Sequence, residues 1–385
     1  MNRVQGVCDD RFANVSETLA GLLDTKDLGA SVAVSLGGEL VVDLWGGHAD
    51  AARTRAWECD TLVDVWSTSK TLTSLCALIL LDRGEIDLHD PVAKYWPEFA
   101  AGGKEGVEIR HLLSHTAGVP GWDTPLALED LYDWDTCTAL LAAQAPWWQP
   151  GTSSGYHAIT QGYLVGEVVR RVTGGSLGTF LREQVTDPLG TDFHIGLPAT
   201  EDDRVAELVI SGALGTPPAT DGGDPVIQKR VGTNPPAGGL LAATRTRAWR
   251  AAESPSINGH GNARSVALTL SVLACGGSAG GTRLLSEEGC STVFEEQSTG
   301  VDKVLGVPVR FGVGYGLNDA HTPILPNPRT CFWGGAGGSL AVVDFDAGMV
   351  VAYVMNRMVS DGTSGLLGDA RAQSIVTAVY QALSR

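Results

Sequence analysis

The chain has no close cysteine pairs. Its seven cysteines (Cys8, Cys59, Cys76, Cys137, Cys275, Cys290 and Cys331) are scattered and never spaced as Cys-x-x-Cys, which excludes a zinc knuckle or a thioredoxin-like centre. No His-Glu-x-x-His or Asp-x-Asp spacing occurs, so neither a metal nor another cofactor is implied. Long apolar runs are missing as well. The longest, Leu75–Leu81, is far too short to span a membrane. Basic charge is scarce: 27 Lys and Arg against 44 Asp and Glu leave a net charge of −17, which argues against nucleic acid or anionic membrane surfaces as partners. No apolar segment follows the charges of the first ten residues, so a secretory leader is not expected and a reducing cytoplasm is the simplest setting.

What is present is a long, ordinary globular composition. At 385 residues, 43% of them hydrophobic, the chain exceeds the ~250–300 residues at which a single core stops growing, so two lobes are expected. Residues 16–24 read as a short amphipathic helix. Ala30–Leu36 and Glu39–Trp45 flank Gly37-Gly38 as a hairpin, and Ser339–Phe345 and Met349–Met355 flank Asp346-Ala347-Gly348 as another. Residues 372–384 look helical. Between the hairpins lies a mainly helical middle, with helical patterns after Ser67 and at Ile109–Ser114, Leu128–Ala143, Ile159–Val172 and Ala263–Ala274. Residues 215–240, rich in Pro and Gly, read as loop. The expected fold class is α/β (α+β). One antiparallel sheet is assembled from both termini, residues 1–65 and 305–385, and a mainly helical domain, 66–304, is inserted between them. A substrate would be expected in the cleft between the two.

The chemistry starts at Ser67-Thr68-Ser69-Lys70, at the mouth of the apolar run Leu72–Leu81. On a helix, positions i and i+3 share a face, which sets the Lys70 amine beside the Ser67 hydroxyl. A serine needs a base to become a nucleophile, and a buried lysine can be partly neutral. Tyr156 ends a turn-rich loop, Trp148–Gly155, just before the Ile159–Val172 helix. It can project into a cleft, and a phenol near an ammonium is biased toward phenolate. Trp333-Gly334-Gly335-Ala336-Gly337-Gly338 precedes the C-terminal hairpin, where glycines admit close approach and free backbone N–H groups can hold an oxyanion.

Taken in this order, Ser67-x-x-Lys70, the Tyr156 loop and the Gly-rich strand resemble the serine β-lactamase and penicillin-binding-protein superfamily, and more narrowly the family VIII carboxylesterases, which share the class C β-lactamase fold. The stretches Ile109–Gly118 and Asn258–Gly261 match the same pattern, and the resemblance runs from about residue 15 to the C-terminus. It implies that Ser67 is the acylated nucleophile, that Lys70 and Tyr156 share the proton work, and that the Ser67 and Ala336 N–H groups form the oxyanion hole. Trp333, Gly334, Gly335, Trp122 and His260 are the candidate substrate contacts.

Two departures bear on the substrate. The lactamase tyrosine motif ends in asparagine, but here it reads Tyr156-His157-Ala158. The lactamase Lys-Thr-Gly triplet reads Trp333-Gly334-Gly335, so an indole stands where a cation would meet a substrate carboxylate. An unpaired carboxylate would be poorly compensated there, which favours a small neutral, short-chain ester and water as reactants. An acyltransferase using the same site is the nearest alternative. A β-lactamase or D-amino-acid peptidase is less favoured, and a non-catalytic ligand-binding module is disfavoured by the intact Ser/Lys/Tyr set. Gly276-Gly277-Ser278-Ala279-Gly280 fits the Gly-x-Ser-x-Gly elbow, but it follows a helical pattern where a strand is required, so Ser278 is set aside.

Overall fold

A computed structural model describes residues 4–211, 222–235, 239–322, 324–359 and 365–384. A nine-stranded sheet organises them. In spatial order it runs through strands Gln5–Cys8, Glu39–Gly47, Gly29–Leu36, Met349–Met355, Leu340–Asp344, Thr330–Gly334, Gly316–Leu317, Pro308–Phe311 and Ser298–Val301. Every neighbouring pair is antiparallel. Both expected hairpins form, and the strands Gly29–Leu36 and Met349–Met355 join the two ends of the chain at mid-sheet.

Side-chain alternation explains why these central strands are apolar throughout. Along Met349–Met355, Met349, Val351, Tyr353 and Met355 face a core shared with the terminal helices Ala13–Thr25 and Ala370–Leu383. Val350, Ala352 and Val354 face the other core, under the helical lobe. Successive residues of a strand point to opposite faces, and both faces are covered.

The helix Ser69–Asp82 is buried from Ser69 through Leu80, its polar first turns included, which is why it shows no solvent-facing polar stripe. The helix Ala263–Ala274 forms at the expected bounds and packs on the sheet. With the edge strand Ser298–Val301 also in the sheet, the sheet layer draws on residues placed in the helical domain, and the expected boundary at 305 falls inside it.

Two helix expectations change. Leu128–Ala143 is not one helix. A 3₁₀ turn, Glu129–Tyr132, gives way at Asp133, whose extended backbone ends it and whose carboxylate caps the helix Trp134–Ala143 by accepting from Thr136 N at 3.1 Å. Within 215–240, Pro225–Thr233 is helical. Asp224 accepts from the Val226 and Ile227 N–H groups, and proline fills the first helical position. Residues 215–221 and 236–238 lie outside the described residues. Ser278 sits in a two-residue strand paired with Thr282–Arg283, not at a strand-to-helix elbow. Among the described residues no helix is long and apolar enough to cross a membrane.

Candidate active site

The strand Val63–Asp64 pairs with His260–Gly261 and runs into a 3₁₀ turn, Trp66–Thr68, at the head of the helix Ser69–Asp82. Trp66 has φ +49°, a left-handed conformation that costs a bulky residue about 1–3 kcal/mol. Asp64 holds it there. One carboxylate oxygen accepts the Trp66 N–H at 2.9 Å and the other the Trp249 indole N–H at 2.8 Å. Burial pushes the Asp64 carboxyl up to about 7. This strained turn presents Ser67, which is 8% exposed.

Two side chains converge on the Ser67 Oγ. The Tyr156 hydroxyl donates to it at 2.8 Å, and Lys70 Nζ lies 3.3 Å away. The lysine is fully buried and forms no ion pair among the described residues. Instead it donates to the carbonyls of Ala158 at 2.7 Å and Ser256 at 3.0 Å. Burial holds its amine well below the ordinary 10.5. Two carbonyls engage the two hydrogens of a neutral amine, which leaves its lone pair for the serine.

The tyrosine departs from expectation. Burial pushes the phenol up to about 12, against the smaller opposing effects of the Ser67 hydroxyl and the Trp333 indole N–H. A nearby lysine biases a phenol toward phenolate only when it is charged, and burial works against that charge on Lys70. Tyr156 is therefore a proton donor at neutral pH.

The loop carrying Tyr156 is braced on both sides. Gly155 N donates to His115 O at 3.0 Å, and His157 N donates to His115 Nδ1 at 3.1 Å. His157 Nδ1 binds the Gly155 carbonyl at 2.6 Å while its Nε2 accepts from Val119 N at 3.1 Å. Burial holds both imidazoles below their usual range, His157 to about 3, so they serve as neutral struts. On the far side, Tyr156 N donates to Asp302 Oδ1 at 3.0 Å.

The turn after Thr330–Gly334 abuts the nucleophile turn. Ser339 Oγ donates to Val65 O at 2.8 Å and lies 3.0 Å from Thr68 Oγ1. Ala336 is exposed on this turn. Among the described residues neither its N–H nor that of Ser67 has a hydrogen-bond partner.

The expected substrate contacts fare differently. Trp333 is fully buried, stacked on Phe311 with ring centroids 5.5 Å apart, and forms a wall behind Tyr156 rather than a surface for a ligand. Trp122 is buried on Tyr163 and gives its indole N–H to Cys137 O at 3.0 Å. His260 is fully buried in the strand paired with Asp64. Gly334 lies under residues 365–368, where a Cβ would meet Gly368 N at 2.6 Å. A Cβ on Gly335 would overlap Ser339 Oγ and the Val65 carbonyl oxygen. Both glycines thus admit neighbouring protein, not substrate. Nothing in the sequence marks Asp64 or Asp302, since one aspartate before a turn and one in a loop match no motif. All seven cysteines are free, and no cluster of three metal-ligating side chains occurs among the described residues.

A Ser-x-x-Lys pair at the head of a buried helix, a tyrosine on the serine oxygen and an antiparallel sheet built from both termini define a β-lactamase-type serine hydrolase. The chain belongs to the beta-lactamase family, whose pattern matches residues 15–374. It is 34% identical over 371 residues to the esterase/beta-lactamase LipL of Mycobacterium tuberculosis, a match covering 93% of this chain and 84% of LipL. A crystal structure of a family VIII carboxylesterase superposes with a TM-score of 0.90 at 41% identity, over 99% of this chain and 100% of the other. A penicillin-binding-protein homologue from Caulobacter crescentus superposes with a TM-score of 0.90 at 37% identity, over the same shares of the two chains.

Proposed function

We propose that the protein is a serine carboxylesterase that hydrolyses small neutral esters through an acyl-Ser67 intermediate. The observation that carries this reading is the Ser67 oxygen held between a donating phenol at 2.8 Å and a buried amine at 3.3 Å. Neutral Lys70 takes the Ser67 proton as Oγ attacks the acyl carbon. The Ser67 and Ala336 N–H groups hold the developing oxyanion. Tyr156 gives its proton to the departing alkoxide and is reprotonated from the Lys70 ammonium, which restores both groups. Water then repeats the sequence on the acyl-enzyme, with Lys70 as base. No cofactor enters.

The departures from the lactamase pattern support an ester over a β-lactam or a peptide carboxyl terminus. Ala158 contributes a carbonyl to Lys70 and has no side-chain amide to offer. Trp333 brings no cation, so a substrate carboxylate would lack a partner. The family VIII carboxylesterase at 41% identity supports the same reading, and LipL, named for both activities, supports ester hydrolysis without deciding against a β-lactam. Seven unpaired thiols favour a reducing, cytoplasmic setting.

Ser67→Ala should abolish hydrolysis of p-nitrophenyl acetate and labelling by a fluorophosphonate. A variant that keeps full activity refutes the assignment.

A further inference from the structure

One buried carboxylate outside the Ser67–Lys70–Tyr156 set is joined directly to the tyrosine loop. Asp302 sits in the connection between the paired strands Ser298–Val301 and Pro308–Phe311, fully buried. A single oxygen, Oδ1, accepts three backbone N–H groups: Val304 at 2.9 Å, Leu305 at 2.8 Å and, from 146 residues away in sequence, Tyr156 at 3.0 Å. The neighbouring Lys303 N donates to Ser154 O at 3.0 Å, a second stitch between the same two loops. Leu305 packs with Tyr156 against the cluster of Val309, Phe311 and Trp333. The other oxygen, Oδ2, is buried with no hydrogen-bond partner among the described residues.

Three backbone donors on one buried oxygen fix a loop strongly, because without it each of those N–H groups would lose its partner away from water. The bond to Tyr156 is the one with chemical consequence. It pins the backbone of the residue whose hydroxyl must meet Ser67 Oγ, and a misplacement of about 1 Å can cost ~10²-fold in rate. The loop on the other side, at His115 and Gly155, holds the flanking residues but leaves the Tyr156 N–H to Asp302.

We propose that Asp302 is a positioning residue for Tyr156, its Oδ1 setting the tyrosine backbone so that the phenol reaches both Ser67 and the departing alkoxide. The inference rests on the catalytic reading of Tyr156 given above. In acylation the bond between the acyl carbon and the alkoxide oxygen breaks, and that oxygen takes the phenol proton. An alkoxide needs that proton. A p-nitrophenolate leaves as a stable anion without it.

The two leaving groups supply the test. Asp302→Ala, Asp302→Asn and Tyr156→Phe are compared on ethyl acetate and p-nitrophenyl acetate. Because both esters give the same acetyl-enzyme, the comparison is made in kcat/KM, which reads acylation: Asp302→Ala should lose roughly 100-fold in kcat/KM on ethyl acetate but only about 10-fold on p-nitrophenyl acetate. Asp302→Asn, which restores an acceptor at Oδ1, should recover most of both losses. Equal losses on the two esters, as a purely structural defect would give, overturn the proposal. So do wild-type rates on both, or a failure of Asn to rescue. Should Asp302→Ala not fold, Asp302→Ser, with a shorter polar reach, is read by the same ratio. Tyr156→Phe separates the two levels. If it keeps wild-type rates, the catalytic role of the tyrosine fails and the positioning role with it. If it loses activity while the Asp302 variants do not, only the positioning role fails.

Discussion

Replacing Lys70 by methionine removes the amine while keeping an unbranched apolar side chain, one atom shorter, in the same buried place. The Ala158 and Ser256 carbonyls, 2.7 and 3.0 Å from Nζ, then lose their donor inside the protein. Each orphaned acceptor costs about 1–3 kcal/mol. Against this, the thioether is buried without the desolvation penalty that depresses the lysine, so the net loss should be smaller, about 1–3 kcal/mol. Catalysis should suffer far more than stability. General-base assistance contributes ~10²–10⁴-fold, and Ser67 would retain only the phenol, which donates to it and cannot accept its proton. The assay is kcat on p-nitrophenyl acetate beside a urea unfolding curve of the same preparation. A Lys70→Met enzyme with more than a tenth of the wild-type kcat would refute the neutral-lysine mechanism. An unchanged unfolding midpoint would refute the carbonyl accounting.

Other outcomes follow from neighbouring contacts. Because burial depresses Lys70, kcat/KM should fall as acid charges the amine, at a pH well below that of an ordinary lysine; activity that rises on acidification would contradict the assignment. Asp64 is raised from 3.8 to about 7, so between those values the folded state binds more protons than the unfolded chain. Its contribution to stability is therefore full below about pH 4 and lost as pH rises toward 7, and Asp64→Asn should remove that slope from a pH series of unfolding midpoints. Asp64→Ala should destabilise by roughly 2–4 kcal/mol through two buried donors left unpaired, and lower kcat by releasing Trp66. Gly335→Ala should cost roughly 1–3 kcal/mol and reduce activity, since its Cβ meets the Val65 carbonyl beside the nucleophile; wild-type stability in a thermal melt would show that the strand can retreat freely. Nitrocefin should be turned over far more slowly than p-nitrophenyl acetate, and rapid turnover would overturn the ester preference.

Local and periodic features were legible in advance. Gly37-Gly38 and Asp346-Ala347-Gly348 set hairpins because turn chemistry acts over a few residues. The apolar run after Ser67 announced a buried helix, and the i, i+3 geometry of that helix brought Lys70 to Ser67 without reference to the rest of the chain. The order of the Ser-x-x-Lys, tyrosine and glycine-strand motifs named the family. At Asp133 and Asp224-Pro225 a capping side chain sets a helix start that hydrophobic patterning alone does not mark.

Depth and partnership were decided only by packing. Trp122, Trp333 and His260 look alike in sequence to residues lining a cleft, yet all three are buried, because exposure depends on what other segments lay over them. Lys70 is a candidate base through carbonyls 88 and 186 residues away, and Asp302 reaches Tyr156 across 146. Spacing along a chain cannot encode such contacts, since they arise where separate elements close on one another. Residue types and local geometry chose the nucleophile and its helix. The protonation states that make it reactive come from the tertiary burial of a lysine and a phenol around it.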